Sequence, residues 1–196
     1  SLFCRGAGVR FPQLKVLATV LRTAPLEGGP ATAAWGPGLS LRKRLDGGYT
    51  VASGDVIADI VPDSFRFLAD FIPLLRQEWP GIALRFGRPF FEEWDYGHDR
   101  SLDAVSPFER VRTLDPAPSE KEIVRARTNL DRDFPAFRGV ATVARWGGMI
   151  DATPDLVPVI SPVEAVPGLI LSSGYSGHGF GIGPGAGRLT ADLASG

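Results

Sequence analysis

The sequence predicts an α+β fold: a mixed, largely antiparallel sheet with helices, followed by a β-hairpin, a glycine-rich loop and a closing helix. Three observations predict it. Short β-rich segments recur between glycine and proline turns along most of the chain. Two long stretches, 64–79 and 119–134, instead carry apolar residues at helical spacing. The last forty residues then pass from strand to bare loop to helix without another strand.

Taken in order, Ser1 is followed by apolar, strand-like text, and Leu14 to Thr23 is β-rich and mostly apolar, a central strand. Glu27 to Gly38 has the glycines and prolines of a loop. From Leu39 to Leu45, leucines alternate with Ser40, Arg42 and Arg44, a half-buried strand with a basic face. Asp46-Gly47-Gly48 supplies a hairpin turn, and Tyr49 to Ala52 the returning strand. The basic face either binds a carboxylate or is the solvated side of the sheet.

Ser64 to Trp79 predicts a helix capped by Asp63 or Ser64, with Phe65, Leu68, Phe71, Ile72, Leu75 and Trp79 as its apolar stripe. Pro73 is expected to kink or split it. Ile82 to Phe91 reads as a strand, and Glu92 to Arg100 as a polar and aromatic loop that lines a pocket or lies on the surface. Phe108 to Leu114 alternates as a strand does. Ser119-x-x-Glu122 is a capping box opening a helix through Phe134, with Ile123, Ala126 and Leu130 inward and Pro135 ending it. Val140 to Ile150 is a strand, Asp151 to Asp155 a turn, and Val157 to Ile160 with Leu169 to Ser172 a hairpin.

A chain of 196 residues with 44% hydrophobic and 22% charged residues buries a substantial core. Its net charge of −1 gives no reason to expect nucleic acid as a partner. Cys4 is the only cysteine, and His98 and His178 the only histidines, so no disulfide and no cysteine- or histidine-based metal centre is expected. No apolar run approaches the roughly 18 residues of a membrane helix and no signal peptide opens the chain, which predicts a cytoplasmic protein without a transmembrane segment. The first residue, Ser1 rather than Met, suggests a piece of a longer protein.

Residues 174 to 188 hold glycine at seven of fifteen positions, between the apolar strand end Leu169–Leu171 and a helical repeat of Ala186, Leu189 and Leu193. Bare backbone lets N–H groups approach a ligand, and Pro184 fits the first position of the helix. Such a helix start carries partial positive charge and suits an anionic or electron-rich ligand. Gly181-x-Gly183-x-x-Ala186 also matches the relaxed dinucleotide fingerprint, but the second strand and acidic residue this needs do not follow.

Trp146-x-Gly148, Thr153-Pro154-Asp155, Pro158-Val159-Ile160 and Gly174-x-Ser176-Gly177-His178-Gly179-Phe180 occur in an order and spacing that resembles the C-terminal part of the D-amino-acid oxidase family of flavoproteins. The family includes amino-acid oxidases and dehydrogenases, glycine oxidase and sarcosine oxidases. Val20-x-Arg22-Thr23-x-Pro25 is similar to the strand that opens its substrate domain. The resemblance implies an FAD-dependent oxidase or dehydrogenase of amino acids or N-methyl amino acids, working by hydride transfer to the flavin. It implies a substrate-binding domain over residues 1–137 and the C-terminal segment of the FAD-binding domain over 138–196. The N-terminal Rossmann part is then supplied by the same or another polypeptide, and the fragment alone is expected to be inactive.

The resemblance places the cofactor against Gly148, Met149, Ile150, Gly174, Ser176, Gly177, His178, Gly179, Phe180, Gly181 and Ile182. No catalytic residue is implied beyond His178 as a weak candidate, which otherwise fixes the loop. Some sarcosine oxidases carry a lysine where this sequence has Gly181 and a flavin-tethering cysteine where it has Gly148. A dehydrogenase with non-covalent FAD is therefore expected at least as readily as an oxidase. Glycine oxidase's carboxylate-binding arginine falls on Ile150, leaving Arg42, Arg44 and Arg88 as candidates for that task. A second reading is a non-catalytic flavin-facing subunit or binding module that needs a separate nucleotide-binding chain.

Overall fold

The computed structural model describes residues 2–96 and 105–196. The opening segment forms a short helix, α1 (Leu2–Gly6), instead of the strand its apolar text suggests. Cys4 turns inward, and its carbonyl accepts the Val9 N–H at 2.8 Å, which satisfies the backbone locally.

β1 (Leu14–Thr23), β2 (Ala34–Gly36), β3 (Leu39–Lys43) and β4 (Tyr49–Asp59) follow. β2 lies inside the stretch expected to be loop, and β4 runs well past Ala52. α2 (Pro62–Arg66), α3 (Leu68–Glu78), β5 (Ile82–Arg85), α4 (Arg88–Asp95) and α5 (Pro107–Arg110) come next. α6 (Glu120–Asp133), a 3-10 turn (Pro135–Phe137), β6 (Thr142–Ala152), β7 (Val159–Pro162), β8 (Ile170–Ser173) and α7 (Gly179–Ser195) complete the chain.

Four expected elements differ. The helix over 64–79 is two helices broken at Phe67 (φ −106°, ψ 14°), and Pro73 sits inside α3. Val61 caps α2, its N–H donating to Ser64 Oγ at 3.0 Å, while Asp63 pairs with Arg5 and Arg66. The strand over 82–91 stops at Arg85, because Phe86, just ahead of α4, and Phe90 and Trp94 on it recur every four residues and their rings pack on one another. Over 108–114 the Ser106–Glu109 capping box and Pro107 nucleate α5 before any strand can form. The expected loop at Glu92 to Arg100 is helical through Asp95, and its end lies outside the described residues.

The main sheet is ordered β2-β3-β4-β1-β6 with every neighbour antiparallel, and β5 runs parallel beside β4. Alternation gives it two unlike faces. Leu17, Thr19, Leu21 and Thr23 of β1, with Leu39, Leu41, Tyr49 and Val51, face α6 and are buried. Ile123, Ala126 and Leu130 of α6 close this core, and the Phe137 ring meets Tyr49 edge-on at 4.8 Å. Ser119 caps α6, accepting the Glu122 N–H at 3.4 Å, but the reciprocal half of the expected capping box does not form. The Ser119 N–H donates to Thr19 Oγ1 instead, and the Glu122 carboxylate accepts from Ser53. A smaller core of Phe67, Phe71 and Leu74 packs α3 over Leu14 and Leu156, at one end of the opposite face.

Polar links clamp α6 to β4. The Ser53 hydroxyl donates to buried Glu122 at 2.8 Å, and Arg125 pairs with Asp55. Burial pushes the Asp55 carboxyl above its ordinary range near pH 4; Arg125 opposes the shift and Glu122 adds to it. The folded chain thus holds a proton on Asp55 that the unfolded chain has released. Stability is expected to fall as pH climbs from about 4 through the raised value, then to level off. Asp55→Asn should flatten this slope, read from urea midpoints between about pH 4 and pH 7.

Candidate functional site

The face of the sheet opposite α6 carries three zones in sequence along β1. At its start are Leu14 and Val16, beneath α3. In the middle, Ala18 pairs with Gly148 of β6, and Val20 pairs with Ala52 of β4 and with Trp146 of β6, whose half-exposed ring flanks the small residues on the β6 side. A β-bulge interrupts the β1–β4 ladder between Ala18 and Val20, and Gly54 provides its left-handed residue at φ +83°. An added Cβ at Gly148 would meet nothing within 4 Å. The face is therefore low and open at Ala18 and Gly148, with Trp146 rising beside them toward the arginines.

The third zone is cationic. Arg22 and Arg42 both pair with Thr50 in the ladder and share its face. Arg44 joins them, its guanidinium reaching Thr50 Oγ1 at 3.4 Å. Two of the three guanidiniums meet one carboxylate, Asp46, which pairs with Arg22 and, at 3.5 Å, with Arg44. The Gly48 N–H, donating at 3.0 Å, and then the two arginines hold Asp46 below the usual carboxylate range. Arg42 is exposed and has no carboxylate partner among the described residues. Arg88 sits apart on α4, paired with Glu92 at 2.6 Å, so the structure brings Arg42 and Arg44 together but not Arg88. Arg22 was not among the candidates. Its even spacing from Val16 and Val20 is the signal that assigns it to this face.

The glycine-rich loop borders the middle zone. Asp151, one residue beyond Ile150 on β6, accepts the Gly174 N–H at 2.7 Å and the Gln13 amide at 3.0 Å. Ser176 Oγ lies 3.3 Å from both the N–H and the hydroxyl of Thr153. These bonds hold a turn in which Gly174, Ser176 and Gly177 all have positive φ (80°, 50° and 86°). Gly177 thereby passes over Ile150, whose methyls stand 3.6 and 3.7 Å from where its Cβ would be. Met149 alternates onto the α6 side of the sheet, opposite Gly148 and Ile150.

α7 begins at Gly179 with His178 as N-cap, five residues before Pro184, which lies inside the helix. The N–H groups of Gly181 and Ile182 already reach the His178 carbonyl at 3.1 and 3.3 Å, so the helical turn closes early. Gly179 and Phe180 at the helix start have no backbone acceptor among the described residues, as the first turn requires. The His178 side chain makes no cap bond and is exposed. Added Cβ atoms at Gly181 and Gly183 would also meet open space, whereas those at Gly174 and Gly179 would meet Thr153 and Tyr175. Phe180 is 97% exposed and Ile182 40%, apolar side chains with nothing over them.

Residues 2–193 match the FAD dependent oxidoreductase (DAO) family. The chain belongs to that family. Its members use FAD, and the residues present fit the group. The vacant space at Gly148, Gly181 and Gly183, the uncovered Phe180 and the donors at the start of α7 offer a flat, apolar and electropositive border. The L-amino acid deaminase from Proteus myxofaciens, solved in complex with anthranilate, superposes on 99% of this DAO-family chain with a TM-score of 0.91 and 30% identity. That from Proteus vulgaris superposes on 98% of it with a TM-score of 0.89 and 28% identity. The chain covers 43% and 45% of those two proteins. Glycine oxidase from Pseudomonas aeruginosa is 32% identical over 83 residues, 42% of this chain and 23% of that protein. Among the described residues no group of three or more metal-ligating side chains gathers, and no helix is long and apolar enough to cross a membrane.

Proposed function

We propose that this chain supplies the substrate-binding face and the ring-side border of an enzyme that oxidises the C–N bond of an amino acid or N-methyl amino acid. The observation that carries the reading is the order of zones on one sheet face: apolar, then bare beside the glycine loop, then cationic. Along β1 the arginine level stands four residues, roughly 13 Å, from Ala18. An arginine side chain spans about half of that, and Arg42 stands two strands across on β3, so a substrate whose carboxylate it holds has to lean from Ala18 toward Val20 and Ala52. Arg42 holds the carboxylate, and Arg22 and Arg44 raise the local potential. FAD, held along the glycine loop and the start of α7, would supply the hydride acceptor for this oxidation.

The chain's own residues orient the substrate and keep its α-carbon near Gly148, where no side chain intervenes. His178 fixes the loop through its N–H, which donates to the Tyr175 carbonyl at 2.8 Å. No residue of the zone is required as a base if the amine arrives neutral. Residues 1–137 form the substrate-binding domain and 138–196 the C-terminal segment of the flavin domain, with β6 shared between them. The nucleotide-binding half comes from residues outside these 196.

The test uses the complete flavoprotein. Anaerobic addition of amino acids is expected to bleach the flavin absorbance, and Arg42→Ala should raise KM about 10- to 100-fold with a smaller change in kcat. A broad amino-acid series that leaves the flavin oxidised would overturn the reading.

A further inference from the structure

A cavity of about 300 Å³ lies between α3 and the apolar end of the same sheet face. Val16, Val56, Ala58 and Leu84 line its floor, and Phe71 and Leu75 its roof. Its size is at the lower end of small-ligand pockets, roughly 300 to 1,000 Å³. Three connections join it to the open centre. Gly54, the residue of the bulge, lines the cavity and leaves it without a wall on that side. Val16, on the floor, pairs with Ile150, over which the glycine loop passes. Ala18, the next residue of β1 on this face, pairs with Gly148. The cavity and the cationic zone thus lie on opposite sides of one platform, low at Ala18 and Gly148 and flanked by Trp146.

Resting on the function proposed above, we infer that this cavity seats the side chain of the substrate and selects large apolar amino acids. A substrate whose α-carbon stands over Ala18 and Gly148, with its carboxylate toward Arg42, must direct its side chain toward Gly54 and the cavity. The walls nearest that line, Val16, Val56 and Ala58, are apolar and offer no hydrogen bond to a polar side chain. The polar residues of the lining do not change this on the floor: Lys15 and Asp59 are already paired with Glu93 and Arg85, and Ser64 and Glu78 belong to α2 and α3. A charged side chain entering along Val16, Val56 and Ala58 therefore loses its water without a partner there. An aliphatic one gains by leaving water, in proportion to the area it buries.

The experiment uses the complete FAD-loaded protein and two readouts. The first is kcat/KM for glycine, alanine, norvaline, leucine, phenylalanine, glutamate and lysine. It is expected to rise roughly tenfold or more from alanine to leucine and to fall sharply for glutamate and lysine. Ala58→Phe, which fills the cavity, should bring the leucine-to-alanine ratio close to unity. The second readout needs neither turnover nor a variant: straight-chain carboxylates from propionate to hexanoate are titrated against the flavin absorbance. Affinity should rise about threefold per added methylene.

A flat or falling trend in either series overturns the inference, even if amino acids bleach the flavin, and would mean that another part of the polypeptide fills the cavity. If no amino acid bleaches the flavin, the function itself fails. The carboxylate titration then still decides whether the cavity receives an aliphatic chain.

Discussion

Gly174→Val in the complete protein is expected to weaken FAD binding by about 10- to 100-fold while the main sheet still forms. Gly174 has φ +80°, and an added Cβ would stand 2.4 Å from the Thr153 methyl, a separation real structures do not show. The left-handed backbone alone costs a β-branched residue about 1 to 3 kcal/mol. Thr153 cannot retreat freely: it is buried, its hydroxyl donates to the Val157 carbonyl at 3.0 Å, and it lies within 3.3 Å of Ser176. The loop must therefore give way, and the Gly174–Asp151 bond goes with it. Released flavin is measured by the rise in its fluorescence on dilution, and the sheet by far-ultraviolet circular dichroism. Retention of FAD at the wild-type level would show that the turn does not shape the flavin border.

Leu130→Ala should destabilise the same protein by about 3 to 4 kcal/mol, from lost burial and the void left behind. Leu130 is fully buried where α6 packs against Leu21, Leu41, Tyr49 and Phe137. Val124, on the same helix, is 63% exposed, and Val124→Ala is expected to change stability by no more than about 0.5 kcal/mol. Urea titrations of the two variants beside the parent separate packing from helix propensity. Equal losses would mean that α6 does not close this core.

Where residues state their own partners, the sequence is easy to read. Leu14 to Thr23 is the predicted strand at both ends, and Ser119-x-x-Glu122 marks the start of α6 to the residue. The strand–loop–helix ending is likewise legible, because glycine and proline act locally. The misread segments are rich in aromatic residues. Phe86, Phe90, Phe91 and Trp94 satisfy both strand and helix propensities, and contacts between their rings decide the outcome. The break at Phe67 has a similar origin, since Phe67 and Phe71 are pulled onto Leu14 from more than fifty residues away.

Of the site, the motif residues were visible, but the face they share was not. Arg22 meets Asp46 and Arg42 only through pairing across three strands. The cavity under α3 exists only once that helix lies over β1, β4 and β5, and no spacing along the chain encodes it.

β6 is bonded to β1 at ten consecutive positions, from Leu14–Ala152 to Thr23–Thr142, and its Asp151 grips the glycine loop. The platform and the glycine loop are thus built on one rigid beam, and they cannot spread apart without unzipping that ladder. The helical lip formed by α2 and α3 has no such ladder and is held by packing of Phe67 and Phe71 on Leu14 and by the ion pairs of Asp63 with Arg5 and of Asp70 with Arg10. Breathing of this protein during turnover should accordingly show up as faster amide exchange in α2 and α3 than in β1 or β6.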